Sequence, residues 1–247
     1  MPVAVPIVAG TAIRGVAAHL MMRNVLERHP NAFLITLVNF GITLPLHRSQ
    51  RHIHDDIAKG LKAQDGAPDA PIVLVGHSQG GLAVLRYAID HPEQVLHVFS
   101  IGVPWHGAPA AARVSRLMRF TRLDLTPGLT DMAPNSPFLT HLHEGLPTIA
   151  DRVTNIFSTH EVFMQPYTDA YIDVPGVTNI LIAPEDEYRH HLESFPDHPV
   201  DDLIDRKTNH LGEMSAPELR GHIWAKVDEV TAEYYGEDRA RDENVSN

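Results

Sequence analysis

Residues 71–82 of the chain read PIVLVGHSQGGL. Residues 72–75 are apolar and mostly β-branched, which is typical of a strand buried on both faces. A Gly-x-Ser-x-Gly turn follows and runs directly into the apolar period of a helix over 79–90. Such a turn strains its central residue and needs glycine at 76 and 80, because side chains there would collide. The stretch therefore predicts that Ser78 projects from a sharp strand-to-helix turn.

The rest of the chain repeats this alternation of short apolar runs and longer segments of helical period. The other predicted strands lie near residues 3–9, 33–38, 95–101, 152–158 and 177–183. Further helices are predicted over 15–29 and 50–64, and a final helix follows the capping box at residues 215–218. The pattern predicts an α/β fold, with a mostly parallel sheet of about six strands and helices on both faces.

The chain has 247 residues, of which 43% are hydrophobic, and no flexible linker interrupts it. We expect one domain over residues 1–235. The segment 104–147 breaks the strand–helix alternation and is rich in Ala, Arg, Leu, Met and Pro, so we interpret it as an inserted helical cap. Residues 236–247 are charged and poor in apolar side chains, which predicts a disordered tail.

Charge and composition exclude several classes of function. The formal net charge of −11 would repel phosphate backbones, so nucleic acid is not expected as a partner. The absence of cysteine excludes disulfides, thiolate metal sites and cysteine nucleophiles. The first ten residues do not resemble a signal peptide, and no apolar run reaches the roughly 20 residues that span a bilayer. We therefore expect a cytoplasmic protein without a membrane span.

The segment Gly-His-Ser-Gln-Gly-Gly at residues 76–81 resembles the nucleophile elbow of true lipases, in the lipase and esterase branch of the α/β-hydrolase superfamily. The resemblance implies the three-layer α/β-hydrolase fold, with Ser78 as the nucleophile of a triad in the order Ser, acid, His. It also implies hydrolysis of a carboxylic ester through an acyl-enzyme, without a cofactor or a metal. The substrate would be a small-molecule or lipid ester.

A serine hydroxyl is a poor nucleophile, so it needs an imidazole to take its proton and a carboxylate to orient that imidazole. The chain has 17 histidines. The resemblance implies His210 as the base, because His210 follows the last predicted strand and precedes the final helix. His198 and the pair His190-His191, earlier in the same predicted long loop, are the alternatives.

The acid is implied by a second resemblance. Residues 156–166, IFSTHEVFMQP, resemble the Ser-x-x-Asp...Gln-Pro segment of the fungal lipase B group, and Glu161 falls on the aspartate. Glutamate serves in such triads, although its extra methylene changes its reach. Asp169 and Asp173, just beyond, are the alternatives.

Acyl transfer also needs donors for the oxyanion. The backbone N–H of Gln79, directly after the serine, is the expected first donor. The second is implied at Thr11, because Gly10-Thr11 resembles the Gly-Thr oxyanion loop of the same lipases. Residues 103–109 resemble the family's stretch beside the acyl pocket, and Ser136-Pro137 predicts the start of a cap helix.

Two other patterns do not indicate sites. A possible metal site is suggested by His47, His52, His54, Asp55 and Asp56. Spacing of two residues directs His52 and His54 to different faces of a helix, which favours a solvated helix start instead. Residues 10–15 lack both phosphate-binding glycine patterns, so we expect no nucleotide. Acyl transfer to an alcohol and thioester hydrolysis would use the same triad, so both remain alternative functions. A catalytically silent binding protein of the same fold is the alternative from another class.

Overall fold

The computed structural model describes residues 3–8, 29, 32–37, 44–108, 127–161, 164–210 and 212–245. Three predictions fall wholly or largely outside these residues: the helix over 15–29, the oxyanion loop with Thr11, and the central part of the cap, 109–126. They stay predictions.

The core is one sheet of seven strands in the order β2-β1-β3-β4-β5-β6-β7, and all neighbouring pairs are parallel. The strands are β1 (Val3–Val8), β2 (Ala32–Leu37), β3 (Ile72–His77), β4 (Val95–Ile101), β5 (Val153–Ser158), β6 (Thr178–Ala183) and β7 (Asp202–Asp205). The first six lie where the apolar runs predict strands, so the predicted α/β architecture is confirmed.

The seventh strand was not predicted. β7 has four residues, Asp-Leu-Ile-Asp, and only Ile204 is buried. A short strand at the edge of a sheet, with charged residues at both ends, blunts the edge against pairing with another chain. It also carries too little period-2 pattern to be recognised in sequence.

Six helices are described: α1 (Leu46–Lys62), α2 (Gln79–Asp90), α3 (Pro127–Asp131), α4 (Pro137–Gly145), α5 (Glu185–Ser194) and α6 (Pro217–Val245). Short 3₁₀ helices occupy Leu146–Thr148, Ala150–Arg152, Tyr167–Ala170 and Glu213–Ser215. The predictions over 50–64 and 79–90, and of a final helix after the capping box, are confirmed.

Two helical segments correct the sequence analysis. The predicted loop that carries His190 and His191 is instead α5, whose three acidic residues in the first turn favour a helix amino terminus. Its only buried residue is His191, so it lacks an apolar stripe. The predicted disordered tail also differs, because α6 continues through residue 245. Glu, Arg and Ala have high helix propensity, so they extend an existing helix at little cost.

The sheet has an apolar cluster on each face, because alternate side chains of a strand point to opposite faces. On one face, Leu74 and its neighbours pack against α1, α2 and α4. On the other face, Val73 and Val75 pack with Leu219, Ile223, Trp224 and Val227 of α6. Helices therefore cover both faces, which gives the three layers that the resemblance implies.

The sheet topology decides where a site can form. The chain passes from β1 outward to β2 and then crosses to β3 on the other side of β1, so the strand order reverses between β1 and β3. In open α/β sheets a crevice opens at such a point, outside the carboxyl ends of the strands. Ser78 follows β3 directly, Glu161 follows β5, and His210 follows β7. All three therefore lie at the carboxyl edge of the sheet.

The described part of the segment 104–147, which the sequence predicts to be a cap, packs against the core. Ser136 is the N-cap of α4, where its hydroxyl accepts a hydrogen bond from the Leu139 N–H at 3.1 Å, and Pro137 is the first helical residue. Both features were predicted. Phe138, Leu139 and Leu142 are buried in the same cluster as α2. Among the described helices, none is both long enough and apolar enough to cross a membrane.

Candidate active site

Ser78 lies in a strained turn between β3 and α2. Its φ of 54° and ψ of −128° lie in a region that side chains rarely adopt. The turn is held because the Ser78 N–H donates to the Ile101 carbonyl at 2.8 Å, and the Ser78 carbonyl accepts from the Gly81 N–H at 2.9 Å. A Cβ added to Gly76 would lie 2.6 Å from the Gly81 Cα, as the sequence predicts for this position. The first turn of α2 therefore begins immediately beside the serine.

Glu161 and His210 form a buried pair, although 49 residues separate them in the chain. The Glu161 Oε2 and the His210 Nδ1 lie 2.6 Å apart, and the two side chains are 1% and 4% exposed. An ionised carboxylate only accepts hydrogen bonds, so Nδ1 carries the proton in this pair. The other ring nitrogen, Nε2, is then a proton acceptor, which is the tautomer that a general base needs.

Two connections align the acid and base loops. His160 and Asn209 form an isolated parallel bridge, and Glu161 and His210 are the next residue on each side. Closer to the ends of the strands, the Ser158 hydroxyl donates to the Thr208 carbonyl at 2.8 Å. The two loops therefore run side by side from the ends of β5 and β7, and this alignment places the carboxylate beside the imidazole.

His77, the residue before the serine, contacts the same imidazole. The ring centroids of His77 and His210 are 4.5 Å apart. The His77 Nε2 lies 2.8 Å from the His210 carbonyl, which can only accept, so Nε2 is the donor. Burial, and then the nearby His210, lower the pKa of His77 to about 3. His77 is therefore neutral at neutral pH and holds the backbone of His210.

A second carboxyl group lies beside this pair. Glu213 is completely buried, and its Oε2 lies 3.9 Å from both the His77 Nε2 and the His210 Nδ1. Burial, and then the charge of Glu161, raise the pKa of Glu213 well above its usual range. Neither Glu213 nor the contact of His77 was predicted from the sequence. An acidic residue three positions after the candidate base was the available signal, since a helical turn returns such a residue to the same side.

Among the described residues, His77, His210 and Glu213 are also the set whose ligand atoms lie close enough, within 4.8 Å, to hold a metal ion. His77 donates its Nε2 proton to the His210 carbonyl, so only its Nδ1 could act as a ligand. The set that the sequence suggested is different. His52 and His54 are both exposed on α1, and these two side chains are not among the groups brought together.

The expected oxyanion donor Gln79 is the first residue of α2 and is fully buried. Its side-chain amide donates to the Gly128 carbonyl of α3 at 3.3 Å, which connects the elbow to the predicted cap segment. The donor loop at Thr11 lies outside the described residues.

The alternative acids are placed elsewhere. The Asp173 Oδ1 accepts a hydrogen bond from the Trp105 Nε1 at 3.0 Å, and the Asp169 carbonyl accepts from the His106 N–H at 3.2 Å. Both therefore support the segment 103–108, which the sequence analysis expected beside the site.

The alternative bases are also placed elsewhere. The His191 Nδ1 accepts from the Tyr167 hydroxyl at 2.8 Å, and its Nε2 donates to the His198 carbonyl at 2.9 Å. His190 is exposed on α5. The structure brings Glu161 to His210 and brings none of these three histidines to that pair.

Solved structures resemble this fold at low sequence identity. A peroxisomal alpha-beta-hydrolase, Lpx1, from Saccharomyces cerevisiae is 14% identical with a TM-score of 0.57, over 100% of this chain and 86% of that chain. A putative non-heme bromoperoxidase, BpoC, from Mycobacterium tuberculosis is 15% identical with a TM-score of 0.54, over 93% of both chains. Lipase B from Aspergillus fumigatus is 17% identical with a TM-score of 0.51, over 72% of this chain.

The chain spans 43% of the length of the Aspergillus lipase, and no curated protein sequence matches it. The family model of the alpha/beta hydrolase fold matches residues 29–178. This match covers more than half of the 247 residues and includes the elbow, β3 to β5 and the candidate acid. The chain therefore belongs to the alpha/beta hydrolase fold family.

Proposed function

We propose that the protein is a serine hydrolase that cleaves carboxylic esters, with Ser78, Glu161 and His210 as its catalytic triad. The observation that carries this proposal is the buried pair of Glu161 and His210, with its 2.6 Å hydrogen bond, at the same sheet edge as the strained elbow of Ser78. Strained serine turns are maintained where the strain serves chemistry. The fold alone would not justify the proposal, because this fold hosts many reactions.

The proposed reaction has two halves. The His210 Nε2 takes the proton of the Ser78 hydroxyl as Oγ attacks the ester carbonyl, and Glu161 stabilises the imidazolium that forms. The alcohol leaves with the proton from His210, and an acyl-enzyme remains on Ser78. Water then attacks the acyl group with His210 as base, which releases the acid. Neither a metal nor a cofactor takes part.

The oxyanion of each tetrahedral intermediate needs donors that are already in place. We propose the backbone N–H of Gln79, at the amino terminus of α2, as the first donor. The positive end of the helix dipole adds to its effect. Thr11 is proposed as the second donor, on the family resemblance of Gly10-Thr11.

The substrate proposal concerns the cap. Within residues 108–146, the sequence carries the apolar residues Leu117, Met118, Phe120, Leu123 and Leu125, together with four arginines spaced three apart. The described apolar residues of the cap, Met132 and Phe138 among them, pack on the sheet core. We therefore propose an apolar acyl pocket under the cap.

This pocket predicts a dependence on acyl chain length. Across p-nitrophenyl esters from acetate to palmitate, kcat/KM should rise at least through octanoate. Burial of a methylene is worth about 0.8 kcal/mol, so the rise is up to about fourfold per methylene. Steady-state rates below the solubility limit of each ester provide the measurement. A steady fall beyond acetate would contradict the apolar pocket, and no hydrolysis of any ester would contradict the proposed reaction.

The assignment of the acid has its own test. Glu161→Gln should lower kcat/KM at least about a hundredfold, because the loss of a triad carboxylate costs up to about 10⁴-fold elsewhere. Asp169→Asn and Asp173→Asn should cost less than about fivefold, because the amides keep the shape of side chains that do not touch His210. The three variants are compared on one ester at pH 7.5. If an aspartate variant proves the most damaging, the acid is wrongly assigned.

A further inference from the structure

Glu213 is the carboxyl group beside the triad for which the proposed mechanism has no use. It is held close to His210 by the chain itself, because the Glu213 N–H donates to the Asn209 carbonyl at 3.0 Å, just before the 3₁₀ helix Glu213–Ser215 begins. Its two carboxyl oxygens are buried and have no hydrogen-bond partner among the described residues. Burial of a carboxyl group without hydrogen-bond partners costs folding free energy, so a functional reason for its position beside an imidazole is expected.

The fold makes room for this carboxyl group. Gly102, directly after β4, has a φ of 54°, which favours glycine. A Cβ at this position would overlap the Glu213 Oε2 and would lie 3.1 Å from the His210 Nδ1. Any other residue would therefore displace the Glu213 carboxyl from the imidazole. The space beside Nδ1 is built from two separate segments of the chain.

We propose that the acid of the site is a pair of carboxyl groups, in which Glu161 is the working partner of His210 and Glu213 is a positioning residue that replaces Glu161 when its side chain is shortened. This inference rests on the proposed triad. The Glu213 Oε2 needs to approach the His210 Nδ1 by only about 1 Å, from 3.9 Å, to reach hydrogen-bond distance.

Electrostatics keeps the two carboxyl groups from acting at once. Glu213 is faced by His77 from the end of β3, by His210 in its own segment and by Glu161 from the loop after β5. His77 is neutral, so it supplies no positive charge. The pair therefore carries one negative charge beside one imidazole, and the second carboxyl keeps its proton. Removing the charge of Glu161 removes one of the two causes that hold Glu213 protonated.

The test compares Glu161→Ala, Glu213→Gln and the double variant with the wild-type enzyme, on p-nitrophenyl butyrate from pH 5 to 10. Glu213→Gln should reduce kcat/KM less than Glu161→Ala does, because Glu161 still orients His210. The double variant should be at least about tenfold less active than Glu161→Ala, since it lacks both carboxyl groups. Exposed Glu193 provides the matched control as Glu193→Gln, which should match the wild-type rates.

The pH profile separates a catalytic contribution from a structural one. In Glu161→Ala, burial still raises the pKa of Glu213, so the replacing carboxylate exists only at higher pH. The acid limb of kcat/KM should therefore move up by about one pH unit or more, and the double variant should not show this upward move. If the double variant does not fold, the pH profile of kcat/KM for Glu161→Ala is sufficient as a test. An acid limb at the same pH as in the wild-type enzyme would overturn the proposal.

Stability gives a readout independent of activity. Because the pKa of Glu213 is raised in the folded protein, folding favours its protonated form, and this contribution is lost as pH rises from the unfolded pKa to the folded one. Across that window the folding equilibrium should weaken by up to about tenfold per pH unit relative to Glu213→Gln. Chemical denaturation from pH 4 to 9 measures it. Equal slopes in the two proteins would contradict the shared charge.

The outcomes distinguish this inference from the proposed function. If Ser78→Ala keeps wild-type activity, the triad itself is wrong. If Ser78→Ala is inactive while Glu161→Ala and the double variant have equal rates and identical pH profiles, the triad stands and the role of Glu213 is wrong.

Discussion

Ser78→Ala is expected to lower kcat/KM for p-nitrophenyl esters by about 10⁴- to 10⁶-fold, the largest effect of any single substitution in this chain. The whole covalent step depends on one oxygen, and no neighbouring residue can supply it. A fluorophosphonate probe should label the wild-type protein at Ser78 and leave the variant unlabelled. Hydrolysis near the wild-type rate would end the serine-hydrolase proposal.

Two controls separate chemistry from folding in this test. Ser194 is exposed on α5, so Ser194→Ala should leave the rate within about threefold of wild type. Ser78→Gly removes the same oxygen but also relieves the positive φ, a strain worth about 1–3 kcal/mol that the greater freedom of unfolded glycine partly offsets. It should therefore be inactive and at least as stable as Ser78→Ala. An inactive variant that is also unfolded would not meet this expectation.

His210→Gln should have an effect almost as large, about 10⁴-fold or more on kcat/KM. Glutamine keeps a hydrogen-bonding side chain beside Glu161, but it cannot take a proton from Ser78 near neutral pH. The rate that remains should depend little on pH between 5 and 8, because the titrating base is gone. Steady-state rates across this range measure both effects.

The matched control is His190→Gln, a change of the same chemistry in an exposed histidine that the sequence left as an alternative base. It should retain wild-type activity within about threefold. If His190→Gln loses activity while His210→Gln stays near the wild-type rate, His190 is the base and His210 is not.

Much of the fold could be read from local patterns. The apolar runs predicted six of the strands, and the spacing of Gly76 and Ser78 predicted the strained turn that the φ of 54° shows. Strand period, helix period and turn chemistry act between near neighbours in the chain, so a sequence displays them directly. β7 and α5 were not predicted, because each carries a single buried residue. A hydrophobic period can be recognised only when buried residues recur along the element.

The acid and the base are a different case. Glu161 and His210 were inferred from resemblance to lipases, not from any periodicity, and Asp169, Asp173, His190 and His198 stayed open as alternatives. The 2.6 Å hydrogen bond between Glu161 and His210 distinguishes them geometrically. That distance depends on how β5 and β7 are ordered in the sheet, because the loops at their ends meet only through that order.

By itself, the sequence determined the class of fold, the turn that carries Ser78 and the start of the final helix, all set by contacts within about ten residues. Only the tertiary structure decided that His77, Gly102 and Glu213 meet at His210. The His77 ring and the His210 carbonyl are 133 positions apart in the chain. Contacts over such separations follow from strand order and loop length, which leave no local pattern in the sequence. The contact of His77 with the base, and the space that Gly102 leaves for the second carboxyl group, could therefore be found only in three dimensions.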